Sequence, residues 1–266
     1  MAFLLQFDGY LNDMEERFYD AGAARSWARD VTPYALCIVV AYLSLVFLGV
    51  RWMKDRPPFS LRRTLVLWNV GLAWFSMFGT WRVVQFAARR TVQGRWIDVI
   101  CDKESFEAHE GGLWSFIFAL SKFVEFGDTA FIVLRKKKLT LLHWYHHASV
   151  LLYCWFGFID AAATGKLFGL LNLIVHSMMY TYYSITATGM WRIPSYVNII
   201  ITSTQLLQMA LGIVATSIAY YRRVNNTGCD VSYTLIYAAF AMYASYLVLF
   251  INFFYKTYIS KKPKTS

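Results

Sequence analysis

The chain has 266 residues, of which 58% are apolar, 18% aromatic and only 16% charged. Soluble chains carry about a quarter charged residues, so this one is too apolar to clothe its own surface and reads as an integral membrane protein. The formal charge of +10 gathers between long uncharged runs, which argues against a nucleic-acid-binding face, and 4 cysteines and 5 prolines are too few for a disulfide scaffold or a collagen-like chain.

In chain order, runs free of Asp, Glu, Lys and Arg cover 31–50, 64–81, 139–159, 167–191, 193–221 and 231–255. Each is about long enough to cross a ~30 Å hydrocarbon layer as a helix rising ~1.5 Å per residue. A seventh run, roughly Leu113 to Leu134, is apolar apart from Lys122, Glu125 and Asp128. The predicted fold class is all-α: one polytopic domain of seven transmembrane helices at about 33–50, 64–86, 113–134, 139–159, 167–188, 196–220 and 232–255. The first thirty residues and roughly 88–112 remain as the longest extramembrane stretches. No cleavable signal peptide is expected, because residues 1–30 carry acids and lack a continuous apolar core, so the first span serves as the targeting signal.

Seven crossings put the termini on opposite sides. Basic residues are richer on the side holding Arg51 to Arg63, Arg135 to Lys138, Arg192, Lys256, Lys261, Lys262 and Lys264, which predicts a lumenal N-terminus and a cytosolic C-terminus. The sequon Asn225-Asn226-Thr227 then lies outside, with Asn225 a glycosylation candidate. Lys262 and Lys264 resemble a dilysine retrieval signal, which points to the endoplasmic reticulum membrane. Cys101 and Cys229 fall in two outer loops, where an oxidising lumen permits a disulfide between them.

Ionisable groups inside a span cost at least a few kcal/mol each, so they are rare and face a protein interior. Here they cluster. Lys122, Glu125, Asp128 and Thr129 share one helix face by their spacing, as do His143, His146 and His147. Asn172, His176, Tyr180 and Tyr183 follow the same rule in the fifth span, and Thr202, Gln205 and Gln208 step by three in the sixth. By helical rise His146 lies ~12 Å inward of Lys138 and Asp128 ~10 Å inward of Arg135, so one hydrated chamber opening to the inner face would hold them all. Taken alone, Thr202, Gln205 and Gln208 read as hydrogen-bonded helix glue. Three histidines beside a Lys-Glu-Asp stripe read as a functional site.

At these residues the sequence resembles the fatty acid elongase family of condensing enzymes. The resemblance rests on Lys122-x-x-Glu125-x-x-Asp128-Thr129, His143-x-x-His146-His147, Asn172-x-x-x-His176-x-x-Met179-Tyr180-x-Tyr182-Tyr183 and Thr202-x-x-Gln205-x-x-Gln208, four motifs in the family's order. Trp144-Tyr145 and Lys138 are similar to the branch acting on saturated and monounsaturated chains. The resemblance implies condensation of a long-chain acyl-CoA with malonyl-CoA to 3-oxoacyl-CoA, carbon dioxide and CoA, with no cofactor and no metal. It implies spans two to seven around a narrow acyl tunnel with span one peripheral. It also implies a ping-pong route in which His146 takes the acyl group, with His176 opposite.

Imidazole is a good nucleophile, and a covalent acyl intermediate divides a hard condensation into two easier steps. Glu125 and Asp128 are expected to fix the tautomer of His143 or His147, and Lys122 to act as counter-ion of Glu125. His176, Asn172 or Tyr180 are expected to donate to the enolate. Arg135, Lys136, Lys137 and Lys138 are candidates for gripping the CoA phosphates. The fourteen residues from His146 to Asp160, ~21 Å of helix, leave room for an acyl tail. Membrane lipid, a second copy of the chain and the other enzymes of an elongation cycle are candidate partners. The rival readings are a di-iron desaturase or hydroxylase, which needs about eight histidines where this chain has 5, with His109 in an outer loop, and a seven-helix transporter.

Overall fold

The computed structural model describes residues 2–102 and 112–260. His109 and Lys261, Lys262 and Lys264, with their retrieval-like spacing, lie outside the described residues. Among the described residues every regular element is helical: α1 (Ala2–Phe18), α2 (Ala21–Asp30), α3 (Thr32–Trp52), α4 (Arg62–Val92), the short α5 (Asp98–Cys101), α6 (Gly112–Val124), α7 (Phe126–Leu134), α8 (Leu141–Ile159), α9 (Gly165–Thr188), α10 (Ser195–Val224) and α11 (Tyr233–Phe254), closed by a π-helical turn at Tyr255–Ile259. The first thirty residues, expected to lie outside any span, are therefore mostly helical.

Three helices, Thr32–Trp52, Ser195–Val224 and Tyr233–Ile259, are long and apolar enough to cross a membrane. Of the other long helices, α8 and α9 carry polar groups of the site, which lower their hydropathy, and the run from Leu113 to Leu134 is broken in two at Glu125, leaving helices of 13 and 9 residues. The break is one residue wide. Glu125 keeps right-handed helical dihedrals, and Asp128 N–H bonds to its carbonyl at 3.1 Å, a tightened turn of the kind often found at functional positions.

Local chemistry explains the helix ends. Asp20, Thr140 and Ser232 cap α2, α8 and α11 by accepting from the N–H of Ala23, His143 and Leu235. Helix α9 stops at Gly189, whose φ of 59° suits a residue without a Cβ.

Consecutive long helices alternate in direction between two ends. At the basic end, Arg62 Nε donates to Ala187 O at 3.1 Å, Phe59 N to Leu134 O at 3.0 Å, and Lys136 Nζ to Lys54 O and Arg56 O, both at 2.9 Å. At the other end Cys101 and Cys229 form a disulfide, Ala163 N donates to Asp230 O, and Trp155 Nε1 donates to Thr32 Oγ1 at 3.1 Å. Helix α1 is held there too. Arg82 of α4 reaches Glu15 at 2.7 Å and Asn12 at 2.8 Å, and Trp114 of α6 donates to the same Glu15 oxygen at 3.2 Å.

Candidate active site

Helix α8 brings its three histidines together because positions three and four apart share a face. The His143 and His147 rings lie 4.4 Å apart between centroids, and those of His146 and His147 5.3 Å. His143 Nε2 is 2.9 Å from Thr129 Oγ1, which in turn is 2.9 Å from the Tyr42 hydroxyl of α3. His147 is buried, with no hydrogen-bond partner at Nδ1. His146 makes no ring hydrogen bond among the described residues. Its ring sits 4.9 Å from that of Tyr246 on α11, whose hydroxyl is 2.7 Å from Ser149 Oγ and donates to His146 O at 3.2 Å.

Opposite lies a charged cluster spanning α6, the Glu125 break and α9. Lys122 and Glu125 are 1% and 2% exposed. Lys122 Nζ donates to Glu125 Oε1 at 2.6 Å and to Asn172 Oδ1 at 2.9 Å, and it lies 4.2 Å over the Phe118 ring. Asn172 Nδ2 is 3.1 Å from His176 Nε2, while His176 Nδ1 lies 3.8 Å from Glu125 Oε1. Breaking such a buried pair by removing one partner typically costs ~3–5 kcal/mol, since it strands the other charge.

The carboxylates do not brace His143 or His147, as the spacing suggested. Asp128 accepts from Trp68 Nε1 at 2.7 Å and from the Tyr180 hydroxyl at 2.6 Å, and Glu125 faces Lys122 and His176. The reason is rotational. At i+3 and i+6 along a helix broken at Glu125, the two acids turn towards α4 and α9, and Thr129 is the residue left facing α8. Tyr180, having committed its only proton to Asp128, has none to offer an enolate. Gly127 permits this arrangement, because a Cβ there would lie 2.4 Å from Trp68 Cζ2.

Two cavities meet at the histidines. The larger, about 500 Å³, is lined by Asp128, Tyr180, Tyr183, Gln205 and all four described histidines, and it reaches Arg135 and Lys137 at the basic end. The narrower, about 70 Å³, runs towards the disulfide end past Phe118, Cys154, Phe158 and Tyr243. His146, Asn172, Gln208 and Met209 line both. The sixth-span polar stripe divides accordingly. Thr202 bonds to Asn198 O and the Tyr258 hydroxyl, Gln205 Nε2 is 3.5 Å from Met179 Sδ, and Gln208 stands at the junction. In the basic cluster Lys136 is tied to loop carbonyls, and Lys136 and Lys138 line neither cavity. Asn225 is exposed at the C-terminal cap of α10. Sequence reasoning missed Tyr42, Trp68, Ser149 and Tyr246, aromatic or small hydroxyl residues inside apolar runs with nothing in their spacing to separate them from packing residues.

The fold and the site together define a helical membrane protein built around a buried group of imidazoles. The chain belongs to the GNS1/SUR4 family, designated ELO, whose model matches residues 27–266. It is 40% identical to very long chain fatty acid elongase 3 of Mus musculus, covering 86% of this chain and 84% of that one. It is 36% identical to very long chain fatty acid elongase 6 of Homo sapiens over 94% of both, and 38% identical to putative fatty acid elongase 4 of Caenorhabditis elegans over 88% and 80%. The family is the one its motifs resemble, and the desaturase reading is not favoured.

Proposed function

We propose that the protein is a very-long-chain 3-oxoacyl-CoA synthase, condensing a long-chain acyl-CoA with malonyl-CoA in the first step of fatty acid elongation. Family membership and the names of its relatives support the reaction class. The observation that carries the chemistry is His146, whose ring makes no hydrogen bond among the described residues at the junction of a cavity reaching Arg135 and Lys137 and one walled mostly by apolar side chains, with Lys166 towards its far end. An acyl-CoA has that same division, with an anionic nucleotide at one end and a hydrocarbon at the other.

In the first half-reaction an unprotonated nitrogen of His146 attacks the thioester carbonyl. The carbon–sulfur bond breaks, CoA leaves as thiolate and takes the imidazole proton, and an acyl-imidazole remains. In the second, the carboxylate of malonyl-CoA departs as carbon dioxide. The electron pair of that bond passes through an enolate to form the new carbon–carbon bond at the acyl carbonyl, and the imidazole leaves and takes up from water the one proton the overall reaction consumes. Gln208 and His147, which line the larger cavity, are better placed as donors to the enolate than Tyr180. His143 is held by Thr129, and His176 closes the opposite wall. Arg135 and Lys137 serve the CoA phosphates, and the two cavities serve as one acyl tunnel.

We further read the chain as crossing the endoplasmic reticulum membrane seven times, in α3, α4, α6 with α7, α8, α9, α10 and α11. The N-terminus is lumenal, the C-terminus cytosolic and Asn225 on the lumenal side. Alternating helix directions and the excess of basic residues at one end support this. A second copy of the chain and the remaining elongation enzymes are its proposed partners.

Incubating detergent-purified protein with malonyl-CoA and a panel of acyl-CoAs, then weighing the products, tests the reading: 3-oxoacyl-CoA two carbons longer is expected, and its absence across the panel overturns it. His146→Ala should reduce condensation to background while the chain still inserts and elutes as a folded species. With acyl-CoA alone, the native protein should gain the acyl mass, and this variant should not. Substantial remaining turnover would refute the nucleophile assignment.

A further inference from the structure

The buried cluster beside the histidines constrains hydrogen positions, not only heavy atoms. Lys122 Nζ carries protons alone and has no acceptor, so the atom of Asn172 that faces it at 2.9 Å must be the carbonyl Oδ1. That fixes the amide. Its Nδ2, a pure donor, is then the atom 3.1 Å from His176 Nε2, and Nε2 must accept. The ring proton is left to Nδ1, which points to Glu125 Oε1 at 3.8 Å. The carboxylate is held in turn by Lys122 at 2.6 Å on that same oxygen. Four side chains of α6, the Glu125 break and α9 thus form a hydrogen-bonded chain from Glu125 through Lys122 and Asn172 to His176, each donor with one consistent direction, and Nδ1 faces Glu125 beyond hydrogen-bond distance.

We propose that Lys122 and Asn172 are positioning residues that set the tautomer of His176, Lys122 by orienting the Asn172 amide and Asn172 by occupying Nε2. The inference rests on the condensing-enzyme reading for its catalytic meaning but not for its geometry. In that meaning His176 cannot compete with His146 as a nucleophile while its only lone pair at Nε2 is engaged, and it presents a ring of one fixed orientation to the reacting carbonyl. Lys122, which lines neither cavity, thus acts on the chemistry through two intermediaries, a role beyond that of a counter-ion.

The test is nitrogen NMR of the full chain in detergent with 15N-labelled histidine, the His176 signals identified by their loss in His176→Gln. The native protein is expected to show His176 as a single Nδ1–H tautomer. Asn172→Asp replaces the donor with an acceptor and should invert the ring to Nε2–H, whereas Lys122→Arg, still donor-only, should leave it as it is. Asn172→Leu keeps the Lys122–Glu125 pair, the main compensation of the buried charge. It should show mixed tautomers and a fall in kcat on the order of tenfold, with KM for acyl-CoA changed less than twofold, the pattern of lost positioning. A native Nε2–H ring, or a pure Nδ1–H ring persisting in either Asn172 variant, overturns the proposal. Because the tautomer is read without turnover, native protein with the expected ring but no condensation would sink the enzymatic reading alone. Condensation with the wrong ring would sink only the relay.

Discussion

At the residue scale, Asp128 is a brace between helices. It accepts from Trp68 of α4 and Tyr180 of α9, one bond to each oxygen. Asp128→Leu removes both acceptors and strands a buried indole N–H and a hydroxyl, and leaving such a group unpaired costs ~1–3 kcal/mol. We expect a lower unfolding midpoint in detergent and a parallel loss of condensation, with Trp68→Phe giving about half the stability change. The basic loop separates in the same way. Lys137→Ala should raise KM for acyl-CoA several-fold without altering the midpoint, whereas Lys136→Ala, which frees the carbonyls of Lys54 and Arg56, should lower the midpoint and leave KM within twofold. Steady-state kinetics alongside thermal unfolding separates the two. The sequence pointed to the acids, the histidines and the basic loop through their rarity in apolar runs. It did not reveal which acid meets which histidine, because that depends on how far α6 and α7 rotate about the Glu125 break.

At the element scale, α4 and α7 meet where a glycine lets an indole in. A Cβ on Gly127 would lie 2.4 and 2.6 Å from Trp68 Cζ2 and Cη2. Gly127→Ala must push the ring off Asp128, at a cost of ~1–3 kcal/mol typical of overpacking. In Trp68→Leu the obstacle is gone, so adding Gly127→Ala to it should cost much less than adding it to the native chain. A double-mutant cycle in unfolding free energy reads that coupling, and additivity would argue against the close approach. Charge-free runs marked where the long helices lie, because a length of apolar residues is written directly in the composition of a window. The break at Glu125 was not legible, since Lys122, Glu125 and Asp128 keep a helical period across it. Nor were α1 and α2, whose polar sequences resemble loops until Arg82 supplies a partner for Glu15 sixty-seven residues away.

At the scale of the whole molecule, the two ends are fastened differently. One is laced by hydrogen bonds between basic side chains and loop carbonyls, and the other by the covalent link from α5 to the segment before α11, which joins positions 128 residues apart. Losing such a link typically costs ~2–5 kcal/mol. Cys101→Ser with Cys229→Ser should therefore lower the unfolding midpoint, and reductant should bring the native protein down to the same value while leaving the variant unmoved. The sequence placed both cysteines in loops on one side; that they meet depends on the return of α10 beside α5 and α9, which no local pattern encodes. Between these ends, His146, Asn172, Gln208 and Met209 line both chambers. If the two serve as the single passage proposed above, a bulkier side chain at Met209 would shorten how far a guest can extend while every imidazole stays in place.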